Sequence, residues 1–178
     1  MADNSAAGRI KTIQDAYRIS YMNEEVRVSF KKDVKIGIGE LALDAKEGDL
    51  SSVPRWLAKL LSNEEALEIQ SGDTASYVSR ALNRERISRP HDISGIDIDF
   101  YIRATDYLEG LREREKESLT VSLNTFVASR LEKIVKLAAA SPLTAEMEGK
   151  LAAEERELYV EINRASAAFK KGVLNRIG

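Results

Sequence analysis

Few residues of this sequence could do chemistry, and their spacing favours structural roles. His91 is the only histidine and follows a proline, and Asp92 beside it could orient its imidazole as a base or metal ligand. Adjacency in sequence does not supply that geometry, so we expect His91 to lie in a loop without a catalytic role. Asp97 and Asp99 could form an acid–base pair. Their place before an apolar helical pattern predicts instead that they cap a helix start.

Catalytic and cofactor motifs are absent from the sequence. Gly37-Ile38-Gly39 lacks the third glycine and the following helix of a dinucleotide-binding fingerprint, so it predicts turn geometry. No phosphate-binding loop, zinc-protease helix or serine-hydrolase elbow occurs. The chain has no cysteine, which excludes disulfides and thiolate metal sites. The sequence therefore contains no convincing active site, and we expect neither a cofactor nor a metal ion.

A short series of basic residues offers one candidate surface. Arg130, Lys133 and Lys136 recur at helical spacing, with Glu132 among them. This pattern favours a solvated or interface face over a surface for DNA, and a helical nucleic-acid-binding adaptor is the alternative.

Four residues of the N-terminal half are candidates for contact with a partner: Lys31, Lys32, Arg55 and Trp56. Trp56 is the only tryptophan, and two interpretations of it stay open. It is either a core anchor of a small module or an exposed anchor for a partner protein.

Composition indicates an ordinary globular protein. The 178 residues suffice for one domain or two small ones, and 43% hydrophobic with 31% charged residues is normal for a chain that buries a core. A formal net charge of -2 excludes a global positive field. The first residues lack the apolar core of a signal peptide, and no run approaches the roughly 20 apolar residues of a membrane span. We therefore expect a soluble, intracellular protein.

Two patterns divide the chain. Residues 1–23 predict an arm and a short helix, and residues 24–70 alternate between apolar and polar side chains, which predicts a small β-rich domain. Residues 51–54 are expected to open a short helix in it, and residues 66–69 could form either a helical turn or a closing strand. Residues 71–74 predict a linker, and residues 75–178 are helical throughout.

The helical part is organised around residues 97–139, whose two amphipathic stripes predict a helical hairpin. The charge run 112–117 between the stripes is expected to be solvated. Pro90 should end the preceding helix, and Pro142 should end the hairpin. Thr144 is expected to begin a final helix of roughly 30 residues, or about 45 Å. The predicted fold class is α+β, mainly α: a C-terminal antiparallel helical bundle preceded by a small mixed β-rich domain.

Several residues of the apolar stripes are predicted to lie in the core or at an oligomer interface. They are Leu119, Leu123, Phe126, Arg130, Ile134, Phe169 and Val173. A domain of about a hundred residues would not cover so long a final helix by itself. We therefore expect an oligomer.

Three helical segments also carry a family resemblance. The first segment is residues 81–111, with the sequence ALNRERISRPHDISGIDIDFYIRATDYLEGL. Its basic residues are followed by acidic residues, and Asp-Phe-Tyr marks the start of a predicted helix. Residues 127–140, VASRLEKIVKLAAA, contain Arg-x-x-Lys-Ile. Residues 143–174, LTAEMEGKLAAEERELYVEINRASAAFKKGVL, open on Leu-Thr and end on Phe-Lys-x-x-Val-Leu. In this order the segments resemble the helical domain of archaeal and eukaryotic GINS subunits, which are components of the replicative helicase.

Residues 26–69, with Val-Pro-Arg-Trp-Leu at 53–57, resemble the small β-rich domain of the same family. GINS subunits occur in two domain orders, and here the small domain comes first. The helical features nevertheless resemble the class that usually begins with the helical domain.

The resemblance implies an architectural, non-enzymatic function. It implies a homo- or heterotetramer of GINS-type subunits that binds and stimulates the MCM helicase and bridges it to a RecJ-like, nuclease-related partner. Contacts with primase and polymerase are also implied, with weak or indirect DNA contact and no membrane. The implied location is the cytoplasm of a prokaryote, at the nucleoid.

Overall fold

The computed structural model of the chain describes residues 5–38, 41–70 and 74–174. Its helices are α1 (Ala6–Asn23), α2 (Arg55–Asn63), α3 (Thr74–Ile87), α4 (Phe100–Glu109), α5 (Glu113–Ala140), α6 (Ala145–Glu148) and α7 (Ala153–Leu174). Its strands are β1 (Glu25–Phe30), β2 (Val34–Ile38), β3 (Leu41–Ala45), β4 (Leu50–Pro54) and β5 (Leu67–Ile69). The predicted class, α+β and mainly α, is confirmed.

The chain divides into two compact units. One is Arg18–Asp73, and the other combines Met1–Tyr17 with Thr74–Gly178. We call them the sheet unit and the helical unit. The helical unit therefore takes residues from before and after the sheet unit, and the predicted N-terminal segment, 1–23, contributes to both. Most of the predicted linker, residues 71–73, lies outside the described residues.

Strand β1 is the centre of the sheet unit. It pairs antiparallel with β4 on one side and β5 on the other, while β2 and β3 form a separate antiparallel pair with Val34 opposite Ala45. Alternate residues of a strand face the same side. Val28 and Phe30 of β1 accordingly share a buried core with Leu57 of α2.

Two segments of the sheet unit refine the sequence prediction. Residues 51–54 were expected to open a helix, but they lie in β4, and α2 begins only at Arg55. Pro54 is compatible with this strand because β4 is an edge strand and Pro54 is its last residue. Of the two possibilities for residues 66–69, the strand is the one observed: Leu67–Ile69 pairs with β1.

The turn between β3 and β4 requires a glycine. Gly48 has φ +90°, and its N–H donates to the Phe30 carbonyl at 2.8 Å. Gly48→Ala is expected to lower the free energy of unfolding by about 1–2 kcal/mol, because a Cβ is strained in this left-handed region. Gly37→Ala is the control, since an added methyl there meets no atom within 4 Å. Urea denaturation compares the two, and equal losses of stability would contradict this account.

The predicted hairpin of residues 97–139 is present as α4 and α5. Phe100, at the start of α4, packs on Phe126 with ring centroids 5.2 Å apart. Only residues 110–112 connect the two helices, and a connection of this length is typical of an antiparallel helical hairpin. As predicted, α3 ends before Pro90 and α5 ends before Pro142.

The charge run 112–117 is largely exposed, but most of it is helical. Helix α5 begins at Glu113, so the run forms its first turns rather than the connection to α4. Glu113 and Glu115 suit this position, because carboxylates stabilise the positive end of the helix dipole.

The predicted final helix is interrupted. The Thr144 hydroxyl accepts the Met147 N–H at 3.3 Å and caps only the short α6, whereas α7 begins at Ala153. The Glu155 carboxylate accepts the Ala152 N–H at 3.1 Å, as a glutamate in the third helical position does in a capping box. Helix α7 therefore has 22 residues and is about 33 Å long, not 45 Å.

Helix α7 runs in the same direction as α5. Glu155 contacts Arg130. About two turns further along both helices, the Asn163 amide donates to the Ala138 carbonyl at 2.8 Å. The antiparallel arrangement thus holds for α4 and α5 but not for α5 and α7. Residues 141–152 return the chain from the end of α5 to the level of Arg130, and α7 begins there. Since α5 ends at Ala140, the last turns of α7 extend past it, and Lys170 reaches back to the Ala139 carbonyl at 2.6 Å.

Candidate functional site

A fully buried arginine joins three helices of the helical unit. The Nε and Nη2 atoms of Arg130 donate to the Glu155 carboxylate at 2.6 and 2.7 Å. Nη1 donates to Glu85 at 2.9 Å and to the Ser94 carbonyl at 2.7 Å, and Nη2 also donates to the Lys150 carbonyl at 3.1 Å. All five N–H groups of the guanidinium therefore have acceptors inside the protein.

Glu85 of α3 is the second centre of this cluster. Its carboxylate accepts the Lys133 ammonium at 2.6 Å, and it accepts the N–H and hydroxyl of Ser94 at 3.1 and 2.7 Å. Burial would raise the pKa of this carboxyl, but the bonds from Lys133 and Ser94 and the charge of Arg130 hold the pKa below its ordinary value. Glu85 is therefore ionised at neutral pH.

Glu155 completes the cluster at the start of α7. The Tyr101 hydroxyl donates to it at 2.6 Å, and burial together with the Glu155 charge raises the pKa of Tyr101. Burial opposes the charge of Arg130, but the bonds to Glu155 raise the pKa of the guanidinium overall. We call Arg130, Lys133, Glu85 and Glu155 the ionic network. Its two cations and two anions leave no net charge.

The ionic network corrects the sequence interpretation of the basic series on α5. Arg130 and Lys133 are buried, so a solvated face was wrong for both, whereas Lys136 is exposed and pairs with Glu132 at 2.5 Å. The saturated Arg130 guanidinium has no donor left for a phosphate. One signal in the sequence did indicate burial: Arg130 lies four residues from the apolar Phe126 and four from Ile134.

A groove of about 710 Å³ lies between α3 and α5, beside the ionic network. Leu82 and Phe126 contribute apolar surface, and Lys133 is one of its buried polar lining residues. Its volume is in the range of ligand pockets. The carboxylates of Glu85 and Glu132 in its lining are each paired with a lysine, so neither is free to act as a base.

The residues predicted as core or interface fall into two groups. Phe126 and Ile134 are 4% and 1% exposed, and Leu119 and Leu123 are half-buried against the cluster that contains Phe126. With Arg130, these residues belong to the core of the chain. The other two are surface residues of a single chain: Phe169 is 72% and Val173 41% exposed.

The apolar stripe of α7 changes its surroundings along the helix. Leu158 and Ile162 pack against a buried cluster, but Phe169 and Val173, on the same face, are exposed. We call Phe169 and Val173 the α7 apolar face. A flank of α5 also exposes large apolar side chains. They are Val121, Val127, Leu131 and Val135.

In the sheet unit, the two predicted lysines are exposed but engaged. The Lys31 ammonium pairs with Glu68 at 3.0 Å, and the Lys32 ammonium donates to the Glu64 carbonyl at 3.3 Å. Both pairs lie at the surface, where they contribute little to stability. Contact with a partner stays a prediction for both residues.

Arg55 and Trp56 begin α2 and differ in exposure. The Arg55 guanidinium lies over the Tyr21 ring, 4.0 Å from its centroid, and pairs with Glu24 at 3.6 Å. Trp56 is 41% exposed, and Leu60, one turn later, is also exposed. Trp56 is therefore not a buried core anchor, and its contact with a partner stays a prediction.

The carboxylates near His91 do not form the catalytic arrangement considered above. His91 is exposed in the segment after α3, and the Asp92 carboxylate bonds Lys150 at 3.3 Å instead of orienting the imidazole. Asp99 occupies the cap position of α4 but makes no side-chain capping bond, which corrects the sequence prediction. It pairs with Arg103 at 2.8 Å, four residues along the helix.

Sequence reasoning missed a group of basic residues on α3 and directly after it. Arg80, Arg84, Arg86 and Arg89 are all exposed. Among the residues that the structure describes, none of these side chains has a hydrogen bond or an ion pair. The signal was available: residues 80–89 contain four arginines and only one carboxylate, Glu85, and helical spacing places Arg80 and Arg84 on one face.

Within residues 5–38, 41–70 and 74–174, no group of three or more histidine, aspartate or glutamate side chains could hold a metal ion. Over the same ranges, no helix has both the length and the apolar surface that crossing a membrane requires. Comparisons of the sequence with protein-family models and with curated proteins gave no match.

Proposed function

We propose that this chain is a scaffold subunit of a GINS-like complex and has no catalytic role of its own. The complex would bind and stimulate the MCM helicase in the cytoplasm, at the nucleoid of a prokaryote. It would bridge the helicase to a RecJ-like partner, and to primase or polymerase. The sequence resemblance of residues 75–178 and 26–69 supports this proposal.

The observation that carries the proposal is the α7 apolar face. Phe169 and Val173 continue a stripe that is buried earlier in the same helix, yet they remain exposed on one chain. Large apolar side chains that are aligned on one face mark protein contacts more often than isolated ones do. A scaffold subunit has such a face because its neighbouring subunits cover it.

The mechanism of such a scaffold is positioning. Each contact of the sheet unit or the helical unit with a partner could be weak, because joining two contacts in one assembly makes the second contact intramolecular. Exposed Trp56 and Leu60 would serve one such contact on the sheet unit. The ionic network would keep the helices that carry the other contacts in a fixed arrangement.

The native mass of the purified chain tests the proposal, alone and with candidate MCM and RecJ-like proteins. We expect a species of two or four times the 19.8 kDa of one chain, and a larger complex when the partners are added. Burying the α7 apolar face should provide the association energy. Light scattering at micromolar concentration measures both. A monomer whose mass does not change with any of these partners would contradict the proposal.

A further inference from the structure

From the exposed arginines of α3 and of the segment directly after it, we infer a second binding surface, for the sugar–phosphate backbone of nucleic acid. We call Arg80, Arg84, Arg86 and Arg89 the arginine surface. The inference is independent of the scaffold proposal, which rests on α7.

The first argument is that these four charges are uncompensated. Glu85, the only carboxylate between residues 80 and 89, is buried and bound to Arg130 and Lys133. The next carboxylate along the chain, Asp92, is bound to Lys150. Glu132 of α5 lines the groove together with Arg86, but it is paired with Lys136. The arginine surface is therefore cationic on a chain whose formal net charge is -2. An anionic partner would gain contacts there without displacing an internal ion pair.

The second argument is that helix stability explains only part of the pattern. Arg84 and Arg86 lie in the last turn of α3, where cations stabilise the negative end of the helix dipole. Arg80 lies a full turn earlier, and Arg89 lies beyond the end of the helix. The dipole therefore accounts for two of the four arginines.

The third argument concerns residue type and spacing. Guanidinium groups bind phosphate through two parallel N–H bonds and are less strongly hydrated than ammonium groups. Arg80 and Arg84, four residues apart, share one helix face and are separated by about 6 Å along the axis, and phosphates of one DNA strand follow each other about every 3.4 Å of duplex axis. Arg86 lies about 120° around the helix from Arg80, beside the groove that Ser79 and Asn83 also line. Ser79 and Asn83 are exposed side chains of a kind that commonly contacts phosphate. Arg80 and Arg84 can thus contact two phosphates of one strand, and Arg86 can contact another phosphate from the other edge of the exposed helix side.

The charge run at the start of α5 provides a matched comparison within the chain. Arg112 and Arg114 are exposed like the arginines of α3, but Glu113, Glu115 and Glu117 alternate with the basic residues there. An anionic backbone meets repulsion as well as attraction at such a run. It should therefore contribute little to binding.

Fluorescence anisotropy with a fluorescein-labelled 20-base-pair DNA duplex tests the inference on the full chain. In about 50 mM salt we expect binding in the micromolar range, with a log–log salt slope of about -3 to -4 if four phosphates are neutralised. Arg80→Ala with Arg84→Ala should raise the Kd at least about tenfold and reduce the slope by about two. Arg80→Lys with Arg84→Lys should restore most of the binding, because charge is retained.

Arg112→Ala with Arg114→Ala is the matched control, with the same loss of charge, and should change the Kd less than about twofold. Absence of binding by the unaltered chain, or an equal effect of the two alanine pairs, would overturn the inference. Polyglutamate of equal charge is the second probe. If it binds as tightly as the duplex and with the same dependence on Arg80 and Arg84, the surface recognises acidic polypeptide and the inference is wrong. Light scattering on the same samples reports assembly separately.

Discussion

Replacing Arg130 with alanine is expected to lower the free energy of unfolding by about 3–5 kcal/mol, because it leaves Glu85 and Glu155 buried without their shared cation. Arg130→Lys should restore only part of this loss. A lysine ammonium offers three donors from one nitrogen, whereas the guanidinium reaches both carboxylates and two carbonyls with a planar set of five. Urea denaturation followed by circular dichroism measures both changes.

Lys136→Ala on the same helix is the control for this prediction. Its partner Glu132 is exposed, so the pair is screened by water and the variant should unfold close to the unaltered chain. A change within about 1 kcal/mol for Arg130→Ala would show that the ionic network does not hold the helices together. A double-mutant cycle with Glu155→Ala should show a coupling of about 1–3 kcal/mol, because removal of the anion relieves the penalty left by the missing cation.

Acid titration provides a second readout of the same network. The pKa of Glu85 is lower in the folded chain than its ordinary value of 4.5. A carboxyl group whose pKa is lowered by folding stabilises the folded chain. This stabilisation is fully present above the pKa of the group in the unfolded chain, and it is lost as the pH falls through its pKa in the folded chain. The unaltered chain should therefore lose stability below about pH 4.5, and Glu85→Gln should make that loss shallower.

The parts of the fold that the sequence predicted depend on local chemistry. Prolines end α3 and α5 where expected, because the residue before a proline is disfavoured in helical geometry. The alternation around Val28 predicted strands, because a strand with one buried face repeats every two residues. The apolar stripe of α5 likewise placed Phe126 and Ile134 in the core.

The parts that the sequence did not predict depend on residues far apart in the chain. Arg130 bonds Glu85, 45 residues earlier, and Glu155, 25 residues later, so its own neighbours do not reveal that it is buried and saturated. The break before α7 has a mixed origin. The bond from Arg130 to the Lys150 carbonyl is long-range, but Gly149 at the end of α6 and the bond from the Ala152 N–H to Glu155 are local features that the sequence prediction did not use. The α3 arginines were missed for another reason: the sequence prediction considered their charges only as part of the net charge of the whole chain.

Two phenylalanines of the apolar stripes should respond in opposite ways to the same substitution. Phe126→Ala is expected to cost about 3–5 kcal/mol of folding free energy at any protein concentration, because the ring is 4% exposed and packs on Phe100 and beneath the Arg130 guanidinium. Phe169→Ala removes a ring that is 72% exposed on one chain, so the stability of the dilute monomer should change by less than about 0.5 kcal/mol.

For oligomer assembly, Phe169→Ala should have the large effect. Truncating an aromatic residue at the centre of an interface typically costs 2 kcal/mol or more, so Phe169→Ala should raise the dissociation constant of the oligomer at least about 30-fold. Sedimentation velocity from nanomolar to micromolar concentration measures this shift, and urea denaturation at the lowest concentration isolates the stability of the single chain. Ile87→Ala is the control, because Ile87 is similarly exposed but lies on a different helix, α3. If Phe169→Ala destabilises the dilute chain as much as Phe126→Ala does, or if it leaves the oligomer unchanged, the α7 apolar face is not a subunit interface.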